Sequence, residues 1–220
     1  MGRSELARKR HWESVYGTRP VQKTSWHQET PRFSLSMISN SGFDSGASLI
    51  DVGGGASFLV DHLLELGYRD VSVLDVSRAA LDQARERLAE RAARVQWIEA
   101  DVLEYVPERQ FVLWHDRATF HFLTSPEDRQ RYVRVLRDAL APGGQAIIAT
   151  FAPEGPAKCS GLDIVQYNAE KLGNELGPEF VLEEQKHESH VTPTDRKQPF
   201  NFFRFRRANQ AHPGENMRFD

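Results

Sequence analysis

The sequence predicts an α/β protein: a doubly wound, mostly parallel seven-stranded sheet with helices on both faces, an antiparallel last strand and an N-terminal helical lid. Three observations carry this expectation. From Leu49 to Thr150, short apolar runs alternate with segments whose apolar residues recur at helical spacing. The first run, Ser48-Leu49-Ile50-Asp51-Val52, passes directly into Gly53-Gly54-Gly55 and then a helical pattern, which reads as strand, tight turn and helix start. Near the end, Phe180 to Lys186 and Phe200 to Phe205 are two β-like runs with no helix between them, the pattern of a closing hairpin with a reversed last strand.

In order, Ser4 to Tyr16 reads as a helix anchored by Leu6, Trp12, Val15 and Tyr16 and ended by Gly17-Thr18-Arg19-Pro20. Thr24 to Phe33 is an ordered loop, and Ser34 to Ser39 a short helix before the Gly-rich linker Ser41 to Gly46. Strand Leu49 to Val52 is followed by a helix from about Ser57 to Leu66, then strand Asp70 to Leu74. Ser77 caps a helix to about Ala93, along which Ala80, Leu81, Ala84 and Leu88 recur at helical spacing. Strand Val95 to Ile98 leads to Asp101, and strand Phe111 to Trp114 ends at His115-Asp116. Ser125-Pro126-Glu127-Asp128 starts a helix with a capping serine, an early proline and acids on the dipole, and Pro142-Gly143-Gly144 closes it. Gln145 to Thr150 is the fifth strand and Ala169 to Leu176 a short helix. The expected organisation is a lid over 1–44, the main domain over 45–207 and a loose polar tail over 208–220.

Composition narrows the partners. A 220-residue chain with 40% hydrophobic residues suits one globular domain. A net charge of −3 argues against nucleic acid as an obligatory partner, and Arg8 to Arg10 and Arg204 to Arg207 read as solvated faces. The one cysteine, Cys159, excludes an intrachain disulfide or a Cys-rich zinc site, and the histidines show no ligand spacing, so no metal is expected. Met1 to Arg10 lacks the apolar core of a secretory signal, and no run approaches membrane-spanning length. The expectation is a cytoplasmic protein without a membrane partner, a monomer or weak homodimer.

The glycine turn suits a nucleotide-like ligand, because a helix start offers unpaired N–H groups and glycine lets backbone approach closely. A phosphate-binding loop requires Gly-Lys-Ser/Thr, and here Gly55 precedes Ala56-Ser57. A dinucleotide fold requires a third glycine where this chain has Phe58. The spacing Asp51-x-Gly53-x-Gly55-x-Ser57 instead puts a carboxylate before the glycines, suited to an ammonium group. Asp75 ends the second strand, where an acid can accept from two ribose hydroxyls, and Asp101 ends the third, where an acid can accept from an adenine amino group. An amino acid, a ribose and an adenine across three strand ends describe S-adenosylmethionine. Each acid alone could be a helix cap or a turn former; together at successive strand ends they favour a ligand.

Ile50-Asp51-Val52-Gly53-Gly54-Gly55, Val73-Leu74-Asp75-Val76-Ser77, Glu99-Ala100-Asp101-Val102 and Leu140-Ala141-Pro142-Gly143-Gly144 resemble the successive signatures of class I S-adenosylmethionine-dependent methyltransferases, over about residues 45 to 150. That resemblance implies the family's seven-stranded sheet and a cofactor site of Asp51, Gly53, Gly54, Gly55, Ser57, Asp75, Val76, Asp101, Val102, His115 and Trp26. Asp116-Arg117-Ala118-Thr119 resembles the start of the Asp-Lys-Gly-Thr-Leu-Asp-Ala motif of a branch that includes eukaryotic protein-lysine methyltransferases, as does the segment from Trp12 to Trp26. This chain departs from that branch at His121, where the motif has its later acid, and at His27, where an aromatic is usual. Trp114 to Thr124, Thr150 to Pro156 and Cys159 to Leu162 are similar to a group of compact bacterial methyltransferases.

The acceptor end is then expected beyond the fourth strand. His121 reads either as a general base or as a core histidine, and Asp116 either meets the sulfonium side or caps the next turn. Cys159 is either inert packing or a contact for a soft acceptor, and Trp12, Tyr16, Trp26 and His27 form a lid or staple the first helix down. The function implied is methyl transfer to a small-molecule acceptor. The alternatives are a protein-lysine acceptor and an S-adenosylmethionine-binding regulator that transfers nothing.

Overall fold

The apolar runs and the capped helical segments fold where the sequence places them, as a computed structural model describing residues 3–209 shows. The expected tail from Ala208 falls, beyond Asn209, outside the described residues. The strands are β1 (Ser48–Val52), β2 (Asp70–Asp75), β3 (Val95–Glu99), β4 (Phe111–Arg117), β5 (Leu140–Phe151), the short pair β6 (Lys158–Cys159) and β7 (Leu162–Asp163), β8 (Phe180–Val191) and β9 (Lys197–Arg207). The helices are α1 (Arg3–Thr18), α2 (Arg32–Ser39), α3 (Leu59–Glu65), α4 (Arg78–Leu88), α5 (Pro126–Ala139) and α6 (Ala169–Leu176). The Ser77 hydroxyl accepts from Ala80 N–H and the Ser125 hydroxyl from Asp128 N–H, so both predicted caps form.

Seven strands form one sheet in the order β3-β2-β1-β4-β5-β9-β8. Strands β1 to β5 pair in parallel, and β9 lies antiparallel between β5 and β8. One apolar cluster joins α5 and α6 to one sheet face through Trp114, Tyr132, Leu136, Tyr167 and Phe203. The other joins α2, α3 and α4 to the opposite face through Met37, Leu59, Leu63, Leu81 and Phe202. The chain leaves β1 for β2 on one side and returns to β4 on the other, so a crevice opens above β1 and β4 at their carboxyl ends.

Three expectations need correction. Helix α5 stops at Ala139, and Pro142-Gly143-Gly144 lies inside β5 rather than closing the helix. Phe111 pairs with Leu140 but Leu113 with Gln145, so residues 141–144 bulge out against Val112, with Gly143 in the left-handed region at φ +75°. Arg204 and Arg207 are not a solvated face. Because β9 has a strand on each side and packing on both faces, two of its three arginines pair inward while Arg206 stays exposed: Arg204 with Gln145 (2.7 Å), Glu183 (3.2 Å) and Glu184 (3.0 Å), and Arg207 with the carbonyls of Arg137 and Leu140. Arg8 likewise turns inward, its Nε donating to Asp101 Oδ2 at 2.7 Å.

Under the sheet end, Trp114 Nε1 donates to Tyr132 Oη (2.9 Å), which donates to Asp116 Oδ2 (2.6 Å), with all three residues fully buried. Tyr132→Phe strands the indole N–H away from water and leaves Asp116 Oδ2 with the Phe120 N–H alone. Urea denaturation should show a loss of about 1–3 kcal/mol, the cost of buried groups left unpaired.

Candidate active site

The turn after β1 is built without room for side chains. A Cβ on Gly53 would stand 1.8 Å from Thr119 Oγ1, one on Gly54 2.4 Å from Asp51 Oδ2, and one on Gly55 2.5 Å from Asp75 Oδ2. Gly53 also sits at φ +68°. The glycines thus let the hydroxyl of Thr119 and the carboxylates of two neighbouring strand ends close around the same backbone. Arg87 of α4 fixes the far side of the turn. It donates to the Ala56 carbonyl (2.9 Å), the Ser57 carbonyl (2.7 Å) and Asp61 Oδ2 (2.7 Å), and it lies 4.0 Å over the ring of Phe58. That stacking explains the bulky residue where a dinucleotide fold has glycine. Ser57 Oγ accepts from Leu59 N–H and helps start α3.

The three acids singled out in the sequence end β1, β2 and just past β3, on adjacent strands. Their surroundings differ. Asp51 Oδ1 pairs with His115 Nδ1 at 2.7 Å, and His115 Nε2 reaches Ser34 Oγ at 2.9 Å, so the acid is already tied to β4 and α2. Asp75 lines the cavity and accepts only a backbone N–H, from Ser77, at Oδ1 (2.8 Å) among the hydrogen bonds of the described residues. Burial, then the charges of Asp51 and Glu13, push its carboxyl up to about 7. Asp101 lines the same cavity but holds Arg8 at Oδ2 and Leu103 N–H at Oδ1.

Helix α1 roofs this rim. Glu13 accepts from the N–H groups of Arg78 (2.7 Å) and Ala79 (3.2 Å), a side chain of one helix satisfying the free end of another. Gln83 donates to the Tyr16 carbonyl, and Lys9 pairs with Glu99. Beneath the roof one cavity runs from Asp75, Val76, Asp101 and Val102, past Gly53 and Thr119, to an aromatic end of Trp12, Tyr16, Trp26, Phe122, Phe151 and Phe200. A smaller recess beside it is lined by Trp26, His27, Asp51, Gly53, Gly54, Ser57, His115 and Arg117, so Arg117 borders both spaces. Gly55 lines neither and packs against Asp75 and Ala80.

The acceptor-side residues separate. His121 is fully buried, among Phe122, Phe151 and Phe200, and lines neither space. Among the described residues both ring nitrogens lack a partner, and burial together with the charge of Arg117 pulls its pKa down to about 3. Asp116 is fully buried too. It accepts from Thr119 N–H, Phe120 N–H and Tyr132 O–H, which makes it the former of the turn after β4. Cys159 does line the cavity, but burial pushes its thiol up to about 11, so it stays protonated near neutral pH. Sequence reasoning missed Arg8, Glu13, Arg117 and Thr119. Of these, only Arg117 carried a visible signal, a cation directly after the strand-end acid in an aromatic-rich stretch.

Residues 49–144 match a protein-family model described as a methyltransferase domain. An eEF1A lysine and N-terminal methyltransferase of Danio rerio is 26% identical over 148 residues, which cover 66% of this chain and 21% of that protein. The chain therefore spans about a fifth of the length of that relative. Among solved structures, one described for conversion of a disulfide bond into a thioacetal group during echinomycin biosynthesis superposes with a TM-score of 0.76 at 19% identity, covering 92% of this chain and 94% of that one. The 1,6-didemethyltoxoflavin-N1-methyltransferase of Burkholderia thailandensis, bound to 1,6-didemethyltoxoflavin and S-adenosylhomocysteine, superposes with a TM-score of 0.68 at 18% identity, covering 94% of this chain and 86% of that one.

The state of Asp75 sets a pH dependence. Its folded-state pKa of about 7 lies above the ordinary 3.8, so the folded protein holds the proton longer than the unfolded one, and stability falls as pH rises from about 4 to about 7. Asp75→Asn keeps an oxygen for Ser77 N–H and removes the buried charge. Thermal unfolding at pH 8 should show a gain on the order of 2–4 kcal/mol, shrinking to nothing near pH 4.

Proposed function

We propose that the chain is a class I S-adenosylmethionine-dependent methyltransferase that transfers a methyl group to a small molecule. The supporting observation is a single cavity that joins a carboxylate rim to an aromatic chamber beneath α1. The rim fits the donor: Asp75 is a buried acid with no cation beside it and suits ribose hydroxyls, while Gly53, Val76 and Val102 offer backbone and apolar walls. When bound, the donor supplies a sulfonium methyl, whose bond to the acceptor atom forms as the carbon–sulfur bond breaks.

The residues of the chain then orient and exclude water. The charged or titratable side chains lining the cavity are Arg8, Tyr16, Asp75, Asp101, Arg117 and Cys159. At the aromatic end, burial pushes both Tyr16 and Cys159 upward, and Arg117 stays cationic, so none accepts a proton near neutral pH. Rate enhancement rests on alignment inside a closed space. His121 is a packing residue in this reading. The likeness to an eEF1A lysine methyltransferase favours a second reading, methylation of a protein lysine. Labelled donor incorporated into one discrete polypeptide of a lysate would support it over a small acceptor.

These roles can be separated by two variants. Calorimetry with S-adenosylhomocysteine should show Asp75→Asn binding about 1–3 kcal/mol more weakly, even though the variant is the more stable protein; unchanged affinity would remove Asp75 from the donor site. His121→Leu, which deletes two unpaired nitrogens at similar volume, should keep S-adenosylhomocysteine release within a few-fold of the parent; a loss of a hundredfold without unfolding would restore His121 as a base.

A further inference from the structure

Arg117 is the last residue of β4, and its guanidinium is enclosed by protein. Nη1 donates to the Trp26 carbonyl at 3.1 Å. Nε and Nη2 have no hydrogen-bond acceptor among the described residues, although both are shut off from bulk solvent. The nearest acid, Glu188 of β8, stands 4.0 Å from Nη2, beyond hydrogen-bond reach, and its own Oε2 is also unpaired. Glu188 Oε1 is taken by Gln28, and burial pushes the Glu188 carboxyl upward, so it is a poor counter-ion. A buried guanidinium with free donors is costly unless something anionic completes it, and two adjacent free N–H groups match a carboxylate.

Arg117 borders both the cavity and the recess beside Asp51 and Gly54, and its contacts on the cavity side point to the molecule that brings that anion. The guanidinium lies 4.7 Å over the ring of Phe200, on β9, two strands beyond β4 in the direction away from β1. Asp75 and Asp101 lie at the other end of the cavity, on the β2 and β3 side. At about 4.8 Å per strand, the two ends are separated by the length of a nucleoside-sized ligand. Around Arg117 the walls are flat and apolar: Trp12 meets Phe122 at 5.1 Å and Trp26 at 5.8 Å edge to face, with Phe151, Phe200 and Cys159 beyond.

We propose that the methyl acceptor is a small acid with a planar apolar body, its carboxylate held by Arg117 and its body packed among Trp12, Trp26, Phe122 and Phe200. This rests on the methyltransferase reading and adds the class of acceptor. The discrimination is large in principle, since a neutral analogue leaves the guanidinium unpaired in a closed site.

The test works with simple aromatic acids as probes. Protein saturated with S-adenosylhomocysteine is titrated with benzoate, phenylacetate and indole-3-acetate and with their carboxamides, following tryptophan fluorescence. The expected result is at least tenfold tighter binding of one or more acids than of the matching amide, abolished in Arg117→Gln. Arg117→Lys should recover part of the preference, because it restores charge without the planar pair of donors. Equal binding of acids and amides, or no binding of either, overturns the proposal. So does a tenfold loss of S-adenosylhomocysteine affinity in Arg117→Gln with the acid preference intact, which would assign the guanidinium to the donor's own carboxylate. Failure of the unaltered protein to bind S-adenosylhomocysteine would instead sink the methyltransferase reading itself.

Discussion

Everything at this end of the sheet depends on the missing side chains of Gly53, Gly54 and Gly55. The backbone of that turn occupies space that Thr119, Asp51 and Asp75 would otherwise contest, at 1.8, 2.4 and 2.5 Å from the three imagined Cβ atoms. Because the turn can sink so low, the carboxylate ending β2 faces a cavity instead of a loop, and the turn after β4 can close over β1 through Thr119 Oγ1 and the Val52 carbonyl. Arg87 holds the loop from the other side, with donors to two carbonyls and to Asp61. A flexible sequence is thereby made rigid by its neighbours, which is what preorganisation of a ligand cradle requires.

The same crowding redistributes charge. Asp51 and Asp75 are close enough to raise the cost of ionising Asp75, and the chain answers by tying Asp51 to His115 and leaving Asp75 without a cation. Asp75 is thus a destabilising group kept at a cavity wall, where packing alone gains nothing from it. At the other end Arg117 is the mirror case, a cation whose counter-charge stops short at 4.0 Å. The two under-compensated charges sit at opposite ends of one cavity, and no packing argument alone accounts for either.

Much of the fold was legible because it is specified locally. Ser77 and Ser125 announce their helices within three residues, and Leu49 to Val52 or Ala169 to Leu176 carry their own periodicity. What could not be read is what distant pairing decides. Pro142-Gly143-Gly144 has the composition of a helix stop, but pairing with β4 draws it into β5 as a bulge. Arg204 and Arg207 look like surface charges until β8 and β5 enclose their strand. Arg8 reaches Asp101 across 93 residues of sequence, a contact that no local pattern encodes. His121 shows the limit most clearly: residue type and position suggested a base or a core histidine, and only the fold shows a ring fully buried among phenylalanines, with no hydrogen-bond partner among the described residues.

The displacement of His121 from the cavity has a chemical consequence. A sulfonium already carries its leaving group, so a methyltransferase without a base can still act on nucleophiles that arrive with a free lone pair. Such an enzyme gains rate by fixing direction and excluding water, and α1 is the element that covers the cavity. Its polar contacts reach both sides of the cavity: Arg8 to Asp101, Lys9 to Glu99 and Glu13 to the start of α4 on the β2–β3 side, and His11 Nε2 to Ser160 Oγ at 3.4 Å beside β6, with Trp12 meeting Phe122 edge to face. A helix registered on both sides of the cavity holds the space beneath it closed, which is what alignment and exclusion of water require.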